Sequence, residues 1–161
     1  MKHFVAPYKW REFQCPRLQD VLDSWVGTPY VLGSAAKKQG VDCVRFVCSV
    51  LDEMYGTRRI PENRLPSDLS LHDKIGALSA MKQIISAYKP NQHVEDFIWE
   101  PGDIVVVGAP NAGPGHAMIV SCRKNVLYHA TNQGIVTTGI TFPVGTSLDV
   151  FRLLDKEKWN V

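Results

Sequence analysis

The chain has 161 residues, 45% hydrophobic and 21% charged, with a net charge of +2. These values suit one soluble globular domain, of a size that buries about 70% of its unfolded surface and needs no covalent staples. No basic run exceeds Lys37-Lys38 or Arg58-Arg59, which argues against a nucleic-acid partner, and no segment approaches the ~20 apolar residues of a membrane span.

The opening Met1 to Tyr8 carries one charge and no apolar stretch of signal-peptide length, so the chain is expected to be made in the cytoplasm and to reach any outside target by a non-standard route. Residues 1–14, with Phe4, Tyr8, Trp10 and Phe13, read as an N-terminal arm on a single domain spanning 1–161. A first helix is expected from Pro16 to about Val26, with Leu18, Val21, Leu22 and Trp25 on one face and Gly27 just past its end. Gly27 to Tyr30 is a turn or extended entry, and Leu32 to Gly40 reads as a loop. Asp42 is a good N-cap and Gly56 a good stop for a central helix reaching Tyr55. Thr57 to Pro66 holds two prolines and three arginines and is expected to be a loop. Ser67 to about Tyr88 has a helical pattern interrupted by Gly76.

After Trp99 the pattern changes. Glu100-Pro101-Gly102-Asp103 is a turn, followed by the β-branched run Ile104 to Val107. A Gly/Pro/Asn loop from Gly108 to Gly115 leads to expected strands over His116–Cys122, Val126–Thr131, Ile135–Ile140 and Asp149–Leu154, the first two forming a hairpin. Helices in the first half and strands in the second predict an α+β fold.

Four cysteines are present, Cys15, Cys43, Cys48 and Cys122, with no CxxC pair. Reduced thiols are expected in a chain of this length without an export signal. A lone cysteine is most often an inert core thiol. Cys43 stands apart because it opens a helix after a Gly-containing loop, where free N–H groups and the helix dipole favour thiolate. Cys48 lies inside the same helix, Cys15 lacks a comparable loop, and Cys122 closes a strand. Two histidines complete a candidate set. His116 follows a glycine-rich loop at a strand start, and His129 lies between Tyr128 and Ala130. If Arg123 pairs with Val126, Val120 faces His129 and His116 faces Gln133. All of these share one sheet face, but the histidines are four residues out of step, roughly 13 Å apart. Either His129 or Gln133 is therefore open as the group that orients His116.

With these residues in view, the chain resembles the NlpC-type cell-wall peptidase family, a papain-like group. The matching texts are Gly27-Thr28-Pro29-Tyr30, Gly33-Ser34, Gly40-Val41-Asp42-Cys43, Pro101-Gly102-Asp103-Ile104, His116-Ala117-Met118-Ile119-Val120 and His129-Ala130. The stretch Ile60 to Pro66 looks most like the phage-tail branch. The resemblance implies a papain-like cysteine hydrolase acting on amide bonds of peptidoglycan stem peptides, usually between D-glutamate and a diamino acid. It implies Cys43 as nucleophile, His116 as base, His129 as the residue that fixes the imidazole tautomer, Tyr30 lining the substrate cleft and Asp42 holding the helix start. A phage-tail or secretion-apparatus partner and phage-borne delivery to the cell envelope would follow from the branch. No metal and no cofactor is expected, since no carboxylate or thiol spacing supports a zinc site around the histidines.

The sequence departs from the family pattern at Val44-Arg45, where a Ser-Gly pair is usual, and at Met118, where glycine is usual. Arg45 can lower the thiol pKa, bind a substrate carboxylate or point to solvent. A non-catalytic peptide-binding or assembly module, or a related thiol amidase or acyltransferase, are the alternatives on the same scaffold.

Overall fold

Helix punctuation shapes the N-terminal half. In the computed structural model, which describes residues 3–5, 9–58, 86–88, 91–94, 98–108 and 114–160, Pro16 opens helix α1 (Pro16–Trp25), which buries Leu18, Leu22 and Trp25. Helix α2 (Cys43–Tyr55) starts on Asp42 and stops at Gly56, whose φ of 72° is the left-handed turn that glycine adopts without strain. α2 is the more buried of the two, with Val44, Phe46, Val47, Val50 and Leu51 fully covered. The loop expected over Thr57–Pro66 lies outside the described residues beyond Arg58. The helix expected over Ser67–Tyr88 lies outside them except for Ser86 to Tyr88.

The strands are β1 (His3–Val5), β2 (Lys9–Trp10), β3 (Ala35–Ala36), β4 (Gly40–Val41), β5 (Asn91–Val94), β6 (Ile98–Trp99), β7 (Ile104–Gly108), β8 (Pro114–Val120), β9 (Val126–Thr131), β10 (Gly134–Gly139), β11 (Thr141–Pro143) and β12 (Ser147–Leu153), followed by a 3-10 helix, Lys156–Asn160. Six of them form one antiparallel sheet in the order β10-β9-β8-β7-β12-β5. With α1 and α2 ahead of this sheet in the chain, the architecture is the α+β one expected.

Alternation along the strands gives the sheet two apolar faces. Ile104, Val106, Ala117, Ile119, Tyr128 and Ala130 pack with α1 and α2 in one core. Val105, Met118, Val120, Leu127 and Val150 face the other way and pack with Trp99, Ile140 and Phe142, with Trp10 against them. The arm contributes to this second layer: β1 pairs with β11, and β2 runs parallel to β6. Strands of two and three residues are too short to show a period, so the arm gives no strand signal in sequence. For the same reason the loop over Leu32–Gly40 contains the unexpected hairpin β3–β4.

A buried ion cluster fixes the turn before β7. Arg152 donates from Nε to Asp103 Oδ1 at 2.9 Å and from Nη2 to Asp103 Oδ2 at 2.7 Å. Lys156 donates to the Pro101 carbonyl at 2.7 Å and pairs with Glu100 at 2.6 Å. The Pro-Gly-Asp turn is thereby tied to β12 and the C-terminal 3-10 helix.

The β8–β9 register differs from the expected one. Val126 N–H does bond the Arg123 carbonyl at 3.2 Å, but this closes a turn, with Asn125 at a φ of 67°. The ladder resumes with Ser121 N–H on the Val126 carbonyl, and Ile119 pairs with Tyr128 and Val120 with Leu127. The shift is by two residues, so every side chain keeps its face. Carried along the strands, the register sets Met118 opposite His129 and His116 opposite Thr131. The histidines are then diagonal neighbours, a separation of about 7 Å between backbones that two rings can bridge.

Candidate active site

The site is built where the start of α2 meets β8, with β9 and β10 alongside. Asp42 organises the helix start. Its Oδ1 accepts from the Arg45 N–H at 2.8 Å, and its Oδ2 accepts from the Gly33 N–H at 2.9 Å. Arg45 Nη1 also donates to Oδ2 at 2.9 Å. One carboxylate thus caps the helix and ties it to the preceding loop. The strand pairing of Tyr30 with Val41 draws the Gly27–Tyr30 segment to the same place.

These contacts set Asp42 at the helix start and turn Arg45 inward. Asp42 is 0% exposed and Arg45 2%, so neither is presented to a substrate. Arg45 neither points to solvent nor reaches out toward a substrate carboxylate; its guanidinium closes a buried ion pair. Truncating one partner of such a pair leaves a charge buried alone.

Cys43 is the first residue of α2 and is 0% exposed. Burial pushes its thiol up to about 11; the Asp42 carboxylate adds to the rise, while hydrogen bonds from the backbone of Ala117, Val44 and Cys43 oppose it. The N–H groups at the helix start do act as expected, but desolvation outweighs them, and the resting group is a thiol. The contact with Ala117 places the sulfur against β8 at the residue next to His116. Tyr30 faces the same point. Burial pushes its hydroxyl up to about 12, with Cys43 and Asp42 adding to the effect.

His116 Nε2 lies 2.7 Å from His129 Nδ1, with the rings edge to face at 74° and 4.9 Å between centroids. His129 is 7% exposed, and burial lowers its pKa to about 4, so it is neutral at pH 7. Gln133, the rival orienting group, is exposed in the turn between β9 and β10, where its N–H donates to Thr131 Oγ1 at 3.1 Å. The two-residue register shift moves it away from the position opposite His116.

One polar contact has no counterpart in the sequence reading. Thr138 Oγ1 lies 3.2 Å from His129 Nε2. Thr138 sits on β10 opposite Leu127, two residues from His129's own partner Val136. The tight connection from Thr131 to Gly134 carries that register, so the same parity count used for His116 would have found it.

Chemically, the arrangement offers a buried thiol at a helix start, an imidazole pair on the neighbouring strands and a phenol facing the sulfur. Among the described residues, no three His, Cys, Asp or Glu side chains form a group that could hold a metal ion. None of the described helices is long and apolar enough to cross a membrane.

No protein-family model matches this chain, and no curated protein matches it. Among solved structures it is similar to the NlpC/p60 domain of the peptidoglycan hydrolase SagA, with 15% identity and a TM-score of 0.54 over 86% of this chain and 98% of that one. It also aligns with a lipoprotein-like NLP/P60-family protein from Staphylococcus aureus at 21% identity and a TM-score of 0.46, covering 78% of this chain and 37% of that one. What the SagA likeness shows is the fold: this chain has the α+β architecture of an NlpC/p60 domain.

Proposed function

We propose that this protein is a cysteine hydrolase that cleaves amide bonds in bacterial cell-wall peptides. The observations that carry the reading are Cys43 at a helix start, hydrogen-bonded to the backbone of Ala117, the residue next to His116, and the contact of His116 with His129. The fold shared with a peptidoglycan hydrolase domain supports it.

In this reading His116 takes the Cys43 proton as sulfur attacks the carbonyl carbon, then returns it to the departing amine. Water hydrolyses the resulting thioester. His129 orients His116, and Tyr30 borders the cleft. The Cys43 N–H serves as one oxyanion donor, a contribution of roughly 3 kcal/mol in comparable chemistry. The bond we favour joins D-glutamate to a diamino acid of the stem peptide. A phage-tail setting, with phage-borne or other non-standard delivery to the envelope, rests on the text of Ile60 to Pro66 alone, and those residues lie outside the described ones.

A second reading, a non-catalytic peptide-binding module, is favoured by one observation. Cys43 is fully buried and its thiol is pushed up to about 11. Purified peptidoglycan digested with the protein and read by mass spectrometry separates the two. The hydrolase reading expects new termini between D-glutamate and the diamino acid, and none from a Cys43→Ala variant of unchanged circular dichroism. Intact stem peptides after digestion with the wild-type protein, or equal release by the variant, would overturn it.

A further inference from the structure

We infer that Thr138 is a positioning residue that sets the direction of the proton relay through His129 and His116, and with it the basicity of His116. The inference rests on the hydrolase reading for its consequence in catalysis, but not for its geometry.

Three polar side chains are linked in succession: His116 Nε2 lies 2.7 Å from His129 Nδ1, and His129 Nε2 lies 3.2 Å from Thr138 Oγ1. A neutral imidazole donates from one nitrogen and accepts at the other. Two directions are therefore open. If His129 carries its proton on Nδ1, it donates to His116 Nε2, and the His116 proton sits on Nδ1, where no base remains for the thiol. If His129 carries its proton on Nε2, Thr138 accepts it, His129 Nδ1 accepts from His116 Nε2, and the His116 lone pair lies on Nδ1.

Proton transfer from Cys43 permits only the second direction. The S–H bond breaks, an N–H bond forms at His116 Nδ1, and the imidazolium then donates from both nitrogens. His129 must accept at Nδ1, so its proton must be on Nε2, and the Thr138 oxygen must accept it. When the proton passes on to the leaving amine the same direction holds in reverse. His129 is neutral at pH 7, and the Thr138 hydroxyl lies 3.2 Å from its Nε2, within reach to receive that proton.

Strand β10 contains no charged residue, and β7 sets Val107 opposite His116. Titratable groups on the other side include Cys43, Tyr30 and Asp42, and Asp42 is paired with Arg45. Thr138 itself is exposed on a sheet-edge strand, so replacing it leaves both cores intact.

The test is nitrogen-15 NMR of the imidazole rings in the full chain, as wild type, Thr138→Val and Thr138→Ser, titrated with pH. The relay predicts the His129 proton on Nε2 in the wild type. Thr138→Val should lower the His116 pKa and reduce kcat about tenfold at unchanged KM, the loss of one hydrogen bond in the charged state. Serine, which keeps the oxygen, should restore both. A wild-type His129 protonated on Nδ1, or a His116 titration unmoved by Thr138→Val, would overturn it. The titrations need no turnover, so they decide on the relay even if the protein cuts no peptidoglycan, an outcome that would count against the hydrolase reading alone.

Discussion

Burial alone does not distinguish the thiols at the level of single residues: Cys15, Cys43 and Cys48 are all nearly inaccessible. What marks Cys43 is its neighbours, the backbone N–H of Ala117 and the hydroxyl of Tyr30. His129 is marked by the cost of its own charge. Its pKa is about 4 in the folded protein, against about 6.5 in an unfolded chain. Between those values the unfolded state holds more protons, so stability rises with pH and is lost as the pH falls from 6.5 through 4. The shift corresponds to about 3 kcal/mol. His129→Gln should flatten that part of the stability–pH curve measured by urea unfolding; an unchanged slope would show that His129 is not buried neutral.

The elements place the site through their ends. Gly134 closes the β9–β10 turn at a φ of 90°, and a Cβ there would stand 2.8 Å from the Thr28 carbonyl oxygen. The same carbonyl accepts from the Ile135 N–H at 3.1 Å, so the turn is docked on the segment that leads to Tyr30. Gly134→Ala should cost about 1–3 kcal/mol, from the contact and the left-handed backbone together. It should weaken activity as well, by moving β10 away from its place beside His129. Urea unfolding and a peptide-release assay would check this, and a fully stable variant would contradict it. Much of this scale was readable in advance. Asp42 and Gly56 mark α2, and Ile104 to Val107 marks the strand after the Pro-Gly-Asp turn. The β8–β9 register was not readable, because a connection of this length allows pairings two residues apart that bury the same faces. Arg45 was not readable either: an arginine three residues after an N-cap aspartate looks the same whether it turns inward to the carboxylate or outward to solvent.

Over the described residues, two apolar layers sandwich the sheet, and the candidate nucleophile lies where α2 begins, against β8. That placement puts Cys43 within the core shared with the helices, beside Ala117 of β8. The parity count put Cys43's two histidines on one sheet face without revealing their contact, and Thr138 emerged only from the structure. The central claim is that His116 serves the Cys43 thiol. Its most direct test is the rate of Cys43 alkylation against pH in the wild type and in His116→Ala, with Cys43→Ala as the blank. If His116 takes the proton, the wild-type rate steps up as the imidazole becomes neutral and then holds a plateau through neutral pH. His116→Ala should lose the step and climb about tenfold per pH unit toward the thiol's own value of about 11. The same steady climb in both proteins would show that the thiol has no base and would contradict the account.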